Sequence, residues 1–400
     1  MACEGDAASV RDAAAPASAD RPTQAAALMR AGVAARQRGA LREAKGTLER
    51  ALALARAAED RAVQADGLME LAQTLEVQGR LDQAEERVLE AYELNRAARD
   101  RGRLAGNFSL LGFLKQVQGD NEEAERFHQY ALNYHRETGD LAALAVDHGN
   151  LGNVYRARGE LDRADESLRE SLRLYRELDD EAGVANQLNS LARLLLVRGG
   201  EREARQLVEE ALVIDERLGR PEGLGMHQSL LGELHLRLGA HAEAASSFAR
   251  ALALQAQVGR GRNQAAALAG LAAAYRGAGV LPQAEEAHGR ALALFEGVGD
   301  AAAAAWQAAA LGELHHQRGD LPQAERMYRQ AVRHGRSAAD GRVQAVAQAK
   351  LGNVLAAQGR AHEAALEWTG AAAAFRAVGE ESEADQLEQM AGQALRRARA

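Results

Sequence analysis

The chain has 400 residues, a formal net charge of −8 and a sequence pI near 5.9, and an acidic chain lacks the basic footprint that nucleic-acid binding requires. Its single cysteine, Cys3, excludes a disulfide framework within one chain. The sequence contains neither a stretch long and apolar enough to span a membrane nor a signal-peptide apolar region, so we expect a cytoplasmic protein with no nucleic-acid or membrane partner.

In chain order, residues 1–20 are rich in alanine, serine and aspartate, a composition typical of disordered tails. A strict repeat follows, in which glycine recurs every 40 residues at nine positions from Gly39 to Gly359. An alanine stands five residues after each of these glycines. This period predicts nine tandem repeats over residues 21–379. Residues 380–400 have the pattern of one further helix, whose polar side would cap the last apolar face.

Repeat 4, residues 140–179, shows the internal pattern most clearly. Leu151 and Tyr155 lie four residues apart, and Ala164 and Leu168 repeat that spacing beyond the turn glycine. A 3.6-residue period of apolar side chains is typical of helices and not of strands. Each repeat is therefore predicted to be two helices of about 17 residues. The predicted fold class is all-α, a solenoid of nine helical hairpins.

Polar and small residues mark where these helices begin, end and touch. Glycine at the turn suits the left-handed conformation that ends many helices. Aspartates at the start of most repeats are predicted N-caps: Asp60, Asp100, Asp140, Asp180, Asp300 and Asp340. One position of the first helix is always glycine or alanine, as at Gly152 and Ala192. A larger side chain there would separate the paired helices, at a predicted cost of about 1–3 kcal/mol.

These positions resemble the tetratricopeptide repeat (TPR) family, whose hairpins carry a Leu-Gly pair, a later aromatic residue, a turn glycine and two alanines. The resemblance covers residues 21–379, although the common repeat has about 34 residues. The longer repeats are similar to those of kinesin light chains and the Leu-Gly-Asn repeat adaptors, and Leu151-Gly152-Asn153 is an instance of that signature. The resemblance implies a right-handed superhelix and a non-enzymatic scaffold that binds a protein or peptide partner in a concave groove.

The resemblance also places candidate peptide-binding residues on first-helix positions that line this groove. They are Asn150, Asn153, Arg156, Asn186, Asn189, Arg193, Ser229, Glu233, Arg237, Trp306, Glu313, His316, Gln317 and Asn353. Asparagine amides can both donate to and accept from a peptide backbone, and arginines select acidic side chains. Trp306 would be an exposed aromatic anchor. The strongest cluster is expected in repeats 4 and 5.

No catalytic, cofactor or metal site is predicted. The sequence has no phosphate-binding GxxxxGK loop and no GxGxxG or GxSxG motif, and its one thiol lies in the tail. His128 and His288 fall at positions that other repeats fill with aromatic residues, which favours half-buried packing roles over metal binding.

An alternative function is a ligand-responsive sensor that acts in trans on a separate transcriptional or signalling effector. The sequence leaves open the partner's identity, the oligomeric state, and whether the alanine-rich wall of repeats 6–9 binds anything.

Overall fold

The computed structural model describes residues 21–259, 261–338 and 340–399, and the predicted tail at 1–20 lies outside these ranges. Within them the chain forms nineteen helices and no strand. The helices are α1 (Arg21–Gln37), α2 (Leu41–Ala57), α3 (Arg61–Val77), α4 (Leu81–Ala98), α5 (Arg101–Gln118), α6 (Asn121–Thr138), α7 (Leu141–Ala157), α8 (Leu161–Glu177), α9 (Glu181–Val197), α10 (Glu201–Leu218), α11 (Pro221–Arg237), α12 (His241–Val258), α13 (Gly261–Gly277), α14 (Leu281–Val298), α15 (Ala301–Gln317), α16 (Leu321–Ser337), α17 (Gly341–Ala357), α18 (Ala361–Ala377) and α19 (Glu381–Arg399).

Consecutive helices pair into hairpins, from α1 with α2 to α17 with α18, and α19 packs against α18. We call the first helix of a hairpin helix A and the second helix B. The chain divides at Asp179 and Asp180 into an N-terminal unit, with α1–α8, and a C-terminal unit, with α9–α19. In each unit helix B of one hairpin packs against helix A of the next, from α2 with α3 to α16 with α17. The prediction of an all-α solenoid of hairpins is confirmed.

The local signals for helix ends act as the sequence predicts. All nine turn glycines have positive φ, with Gly159 at 77°. The six predicted aspartates accept a hydrogen bond from the backbone N–H three residues later, as Asp140 does from Ala143 at 3.0 Å. Asp120 and Asp320 cap α6 and α16 in the same way. Each bond satisfies one of the donors that a helix start leaves without an intrahelical partner.

The two helices of a hairpin approach most closely at the small residue of helix A. A Cβ atom at Gly152 would lie 2.6 Å from Cγ of Leu168, and one at Gly352 would lie 2.5 Å from Nε1 of Trp368. In six repeats glycine stands opposite the helix-B residue, which is Leu48, His128, Leu168, Phe248, Tyr328 or Trp368. In the other three repeats the equivalent pairs are Ala72 with Val88, Ala192 with Val208, and Ala272 with His288. The helix-A residue at this contact is therefore always small, which leaves room for the side chain of helix B.

Buried polar pairs join some successive hairpins, each between helix B of one hairpin and helix A of the next. The pairs are Asn95 with Asn107 (2.8 Å), His135 with Asp147 (2.6 Å) and Asp215 with His227 (3.0 Å). All six side chains are buried. At the last junction the equivalent residues are Phe375 and Leu387, which belong to an apolar cluster. A buried polar group needs its partner, so each pair favours one particular neighbour.

Candidate functional site

Helix A of one hairpin contacts helix A of another at several places within each unit: α1–α3, α5–α7, α9–α11, α11–α13 and α15–α17. The side chains that helix A directs away from its own helix B form a surface, which we call the A-helix face. In α7 this face comprises the positions of Val146, Gly149, Asn150, Asn153 and Arg156, of which Gly149 is buried. Residues at multiples of 40 from these positions occupy it in the other hairpins.

A cavity of about 450 Å³ opens on the A-helix face between α1 and α3. Its apolar lining comes from four residues of α1: Ala26, Met29, Val33 and Ala34. Concave sites with an apolar floor and a few polar groups are the usual form of ligand pockets. This cavity lies in repeats 1 and 2, where the sequence analysis names no candidate residue.

Charged residues complete the cavity, and its two carboxylates are already held in place. Arg36 pairs with Glu70 at 2.8 Å, and Arg103 binds both oxygens of Asp66 at 3.0 Å. The hydrogen bond to Asp66 raises the pKa of Arg103. Arg30, at the rim, is exposed. The site therefore combines an apolar floor with two carboxylates that are already ion-paired within the protein.

The repeat register could have identified this region. Met29, Arg30 and Val33 occupy the positions of Gly149, Asn150 and Asn153. Phe113, an exposed aromatic residue of α5, also occupies the position of Asn153. The candidates predicted from the sequence are mainly polar side chains and do not include the apolar residues of repeats 1 and 3.

The three candidates of repeat 4 lie on helix A, and their role in binding stays a prediction. Asn150, Asn153 and Arg156 are all partly exposed on α7. Arg156 already interacts within the protein. Among the described residues, the side chains of Asn150 and Asn153 have no hydrogen-bond partner, so both amides are open to a ligand.

The candidates of repeat 5 are used mainly to join hairpins within the C-terminal unit. Asn186 accepts a hydrogen bond from Arg220 at 3.4 Å, and Arg193 lies 3.4 Å from Glu233 of repeat 6. Asn189 is only 4% exposed, and its Oδ1 lies 3.3 Å from Nδ1 of His227. This corrects the prediction for Asn189, because its amide belongs to a buried hairpin junction and is not offered to a ligand.

The other two candidates of repeat 6 also bond to nearby backbone. Ser229 donates to the carbonyl oxygen of Gly225 at 3.0 Å, within its own helix. Arg237 donates to the carbonyl oxygen of Leu196 at 3.0 Å and so links α11 to α9. Only the Arg237 bond joins two helices, and a ligand would have to compete with both bonds.

Repeats 8 and 9 present one aromatic side chain and a polar cluster. Trp306 is 44% exposed on α15. Glu313 accepts hydrogen bonds from Lys350 and from Tyr328, both at 3.1 Å, and from Gln317 at 3.3 Å. Burial opposes ionisation of Glu313, but the hydrogen bond and charge of Lys350 keep the pKa of its carboxyl below the ordinary value.

The last two candidates differ in how accessible their polar atoms are. Asn353 accepts a hydrogen bond from the indole of Trp368 at 3.0 Å, so its carbonyl oxygen serves packing within its own hairpin. His316 is partly exposed on α15. Of the candidates in repeats 8 and 9, Trp306 therefore has the surface best suited to an apolar contact.

The histidines at aromatic positions are more deeply placed than predicted. His128 and His288 are buried, not half-buried. Burial lowers the pKa of His128 to about 4 and also lowers that of His288, so both rings are neutral near pH 7. The described part of the chain contains no group of three or more His, Cys, Asp or Glu side chains that could hold a metal ion.

A model of the tetratricopeptide repeat family matches residues 103–177, 140–217, 223–297 and 263–337, which together exceed half of the chain. The chain belongs to the tetratricopeptide repeat family. TPR solenoids are scaffolds for protein interaction, and this protein has that architecture. No curated protein matches its sequence. None of its described helices has the length and hydropathy needed to cross a bilayer.

Solved structures share this TPR fold. One is the Rap conjugation gene regulator of the plasmid pLS20 in complex with a Phr peptide, with 18% identity over 74% of this chain and 80% of that chain and a TM-score of 0.58. Another is a Rap protein complexed with competence and sporulation factor, with 15% identity, coverages of 85% and 98% and a TM-score of 0.55.

A third similar structure is a signal transduction ATPase with numerous domains and a TPR sensor, from Pyrococcus horikoshii. It has 17% identity to this chain and a TM-score of 0.57. The match covers 87% of this chain but only 55% of that one. At identities below 25%, these three structures show that the fold is shared and show nothing about a shared function.

Proposed function

We propose that this TPR protein is a non-enzymatic adaptor that holds a peptide, or an extended segment of a partner protein, on the A-helix face of its N-terminal unit. The observation that carries the proposal is the open cavity between α1 and α3. Met29 and Val33 supply an apolar floor for one side chain of the ligand, and the fixed carboxylates of Asp66 and Glu70 orient its neighbours.

An apolar side chain buried in this cavity would contribute about 1.5–3 kcal/mol, which is too little for a stable complex. The segment therefore needs further contacts along the same face. Phe113 offers an exposed ring, and the open amides of Asn150 and Asn153 can bond to a peptide backbone. The cavity lies in repeats 1 and 2 and the two asparagines lie in repeat 4. We therefore expect a ligand with an apolar side chain at one end and mainly backbone contacts at the other.

Two of the similar structures support the class of ligand. The pLS20 regulator was solved with a Phr peptide, and the other Rap protein with competence and sporulation factor. A peptide bound at this site would also account for the alternative function, a ligand-responsive sensor. The transcriptional or signalling effector would then be a separate chain. Trp306, on the C-terminal unit, is proposed as a separate aromatic contact.

The test is selection of binding peptides from a random library displayed on phage, with the full chain as the target. Selected peptides are then titrated against the protein and two variants. Val33→Gln puts a polar group into the cavity, and Val213→Gln makes the same change at a valine of α10 that is 65% exposed. We expect Val33→Gln to weaken binding at least about tenfold, the loss of one buried apolar contact, and Val213→Gln to leave it unchanged.

A double variant, Asn150→Ala with Asn153→Ala, tests the amide end of the proposed site. It should weaken the same peptides while leaving helicity unaltered. Selected peptides that bind the protein and the Val33→Gln variant equally well would show that the cavity is not the anchor site.

A further inference from the structure

Helix α16 carries a row of four exposed arginines on the side opposite its buried residues: Arg326, Arg329, Arg333 and Arg336. Their spacing of three, four and three residues places them on one helix face, over about 15 Å. We call this row the arginine stripe. It is a local concentration of positive charge on a chain whose net charge is −8.

The fold gains nothing from this spacing, because like charges three or four residues apart repel one another along a helix. Helix α8 has arginines at the positions of the last three members of the stripe, and there carboxylates accompany them. Asp165 pairs with Arg169, and both Glu170 and Glu177 pair with Arg173, all at 2.7 Å. Helix α16 lacks such alternation of charge.

Among the residues that the structure describes, three carboxylates lie near the stripe. Glu363 of α18 is one of them; it pairs with Arg360 and also interacts with the charge of Arg329. Glu325 pairs with Arg329 and also with Arg360, which lies at the start of α18, at 2.8 Å. Glu296 of α14 lies against α16, but it pairs with His334 at 2.8 Å. The single carboxylate on α16 itself is thus shared between two guanidinium groups.

The remaining three arginines of the stripe have no ion-pair partner within the described ranges. Arg326, Arg333 and Arg336 each present an exposed guanidinium group, which is suited to bidentate contact with a carboxylate. On α18, the next helix B along the chain, Leu366 occupies the repeat position of Arg326 and is 64% exposed. The surface offers a line of positive charge with an apolar contact at one side.

We propose that the arginine stripe and Leu366 form a second docking surface, on the B-helix side of repeats 8 and 9, for an acidic segment of a partner protein. The carboxylates of the segment pair with the three unpaired arginines, and one apolar side chain covers Leu366. A protein segment fits better than nucleic acid, because a long polyanion would be repelled by the remaining surface of this acidic chain. This surface is separate from the A-helix face and does not depend on it.

The probe is a labelled helical peptide of about 14 residues with glutamates at matching spacing and leucines on the adjacent side. Its binding to the full chain is measured by fluorescence anisotropy. The stripe variant carries Arg326→Gln, Arg333→Gln and Arg336→Gln. A control variant with the same change of charge carries Arg42→Gln, Arg202→Gln and Arg250→Gln, three exposed arginines on other B helices. Helicity is measured for both variants, because all six side chains are exposed and the fold should persist.

We expect the stripe variant to bind the peptide about tenfold more weakly, as for the loss of three exposed ion pairs, and the control variant to change binding less than about twofold. Leu366→Ser should weaken binding of this peptide but should not weaken binding of a peptide whose leucines are replaced by alanine. Added salt should weaken binding of both peptides.

Four outcomes would overturn the proposal. The first is that the peptide fails to bind. The second is that the stripe variant and the control variant weaken binding equally, which would show a nonspecific charge effect. The third is tighter binding of a single-stranded oligonucleotide of equal charge, which would indicate nucleic acid. The fourth is a change in the oligomeric state of the protein alone in the stripe variant, which would indicate a second copy of this chain.

Discussion

The contact between Gly152 and Leu168 gives a prediction that can be worked out from the structure. A methyl group added by Gly152→Ala would lie 2.6 Å from Cγ of Leu168 and 3.2 Å from the backbone oxygen of Ala164. Overpacking of this kind costs about 1–3 kcal/mol, while alanine improves helix propensity over glycine by about 1 kcal/mol. We therefore expect a net loss of about 1 kcal/mol in the local free energy of unfolding.

Shortening the opposing side chain should remove this cost. Leu168→Val alone deletes one buried methylene and should cost about 1 kcal/mol. The double variant reproduces the pair that the chain itself uses at Ala192 and Val208. We expect it to lie within about 0.5 kcal/mol of the unmodified protein, so the two changes should show a favourable coupling of at least about 1.5 kcal/mol.

The assay is native-state hydrogen exchange of the amides of α7 and α8, read by mass spectrometry. A local measurement is needed because long repeat arrays do not unfold as one two-state unit. Gly106→Ala in α5 is the control, because a Cβ at Gly106 meets nothing within 4 Å, and it should stabilise its helix by about 0.5–1 kcal/mol. Strictly additive effects of the two changes in repeat 4 would refute the reasoning.

Three further predictions concern buried polar groups and exposure. Because burial lowers the pKa of His128 to about 4, from about 6.5 in the unfolded chain, its contribution is complete above pH 6.5 and is lost as pH falls towards 4. Native-state hydrogen exchange of the amides of α5 to α7 at several pH values should show a loss of local stability of up to about 3 kcal/mol, which His128→Leu should remove. Asp147→Ala should cost about 3 kcal/mol in the same assay, because it leaves His135 without its buried partner, whereas His135→Phe with Asp147→Leu should cost less. Acrylamide quenching of tryptophan fluorescence should fall sharply in Trp306→Phe, which leaves only the buried Trp368, and should rise in Trp368→Phe, which leaves only the exposed Trp306.

The helices and their ends could be predicted from the sequence because their signals are local. Gly159 ends a helix through its own φ angle, and Asp140 caps the next helix through a backbone group three residues away. The burial of Asn189 could not be predicted in this way. Asn189 faces helix A of the following hairpin, where it contacts His227. Ser109 occupies the equivalent position in repeat 3 and likewise donates a hydrogen bond to Asp147 in the following hairpin.

The sequence bears on the candidate site only in part. Helical periodicity determines the direction of a side chain, so the register places Asn150 and Asn153 on one face of α7, and their role in binding stays a prediction. Periodicity does not determine how far neighbouring helices separate, and the cavity between α1 and α3 depends on that separation. Its apolar floor, including Met29, is chemically indistinguishable from core in a single sequence.

The polar pairs between hairpins have a consequence for how such a chain can evolve. Recombination between similar gene segments can remove or add one repeat of 40 residues without disturbing the helical register. Removal of residues 101–140 would place Asn95 beside Asp147, so that a buried carboxylate would lose its histidine and gain an amide. At the apolar junction of Phe375 and Leu387 no such mismatch of hydrogen bonds arises. Gene shortening or lengthening should therefore be tolerated better near the C-terminal end of the array than among repeats 2 to 4, where the order of the repeats is fixed by the identity of each neighbour.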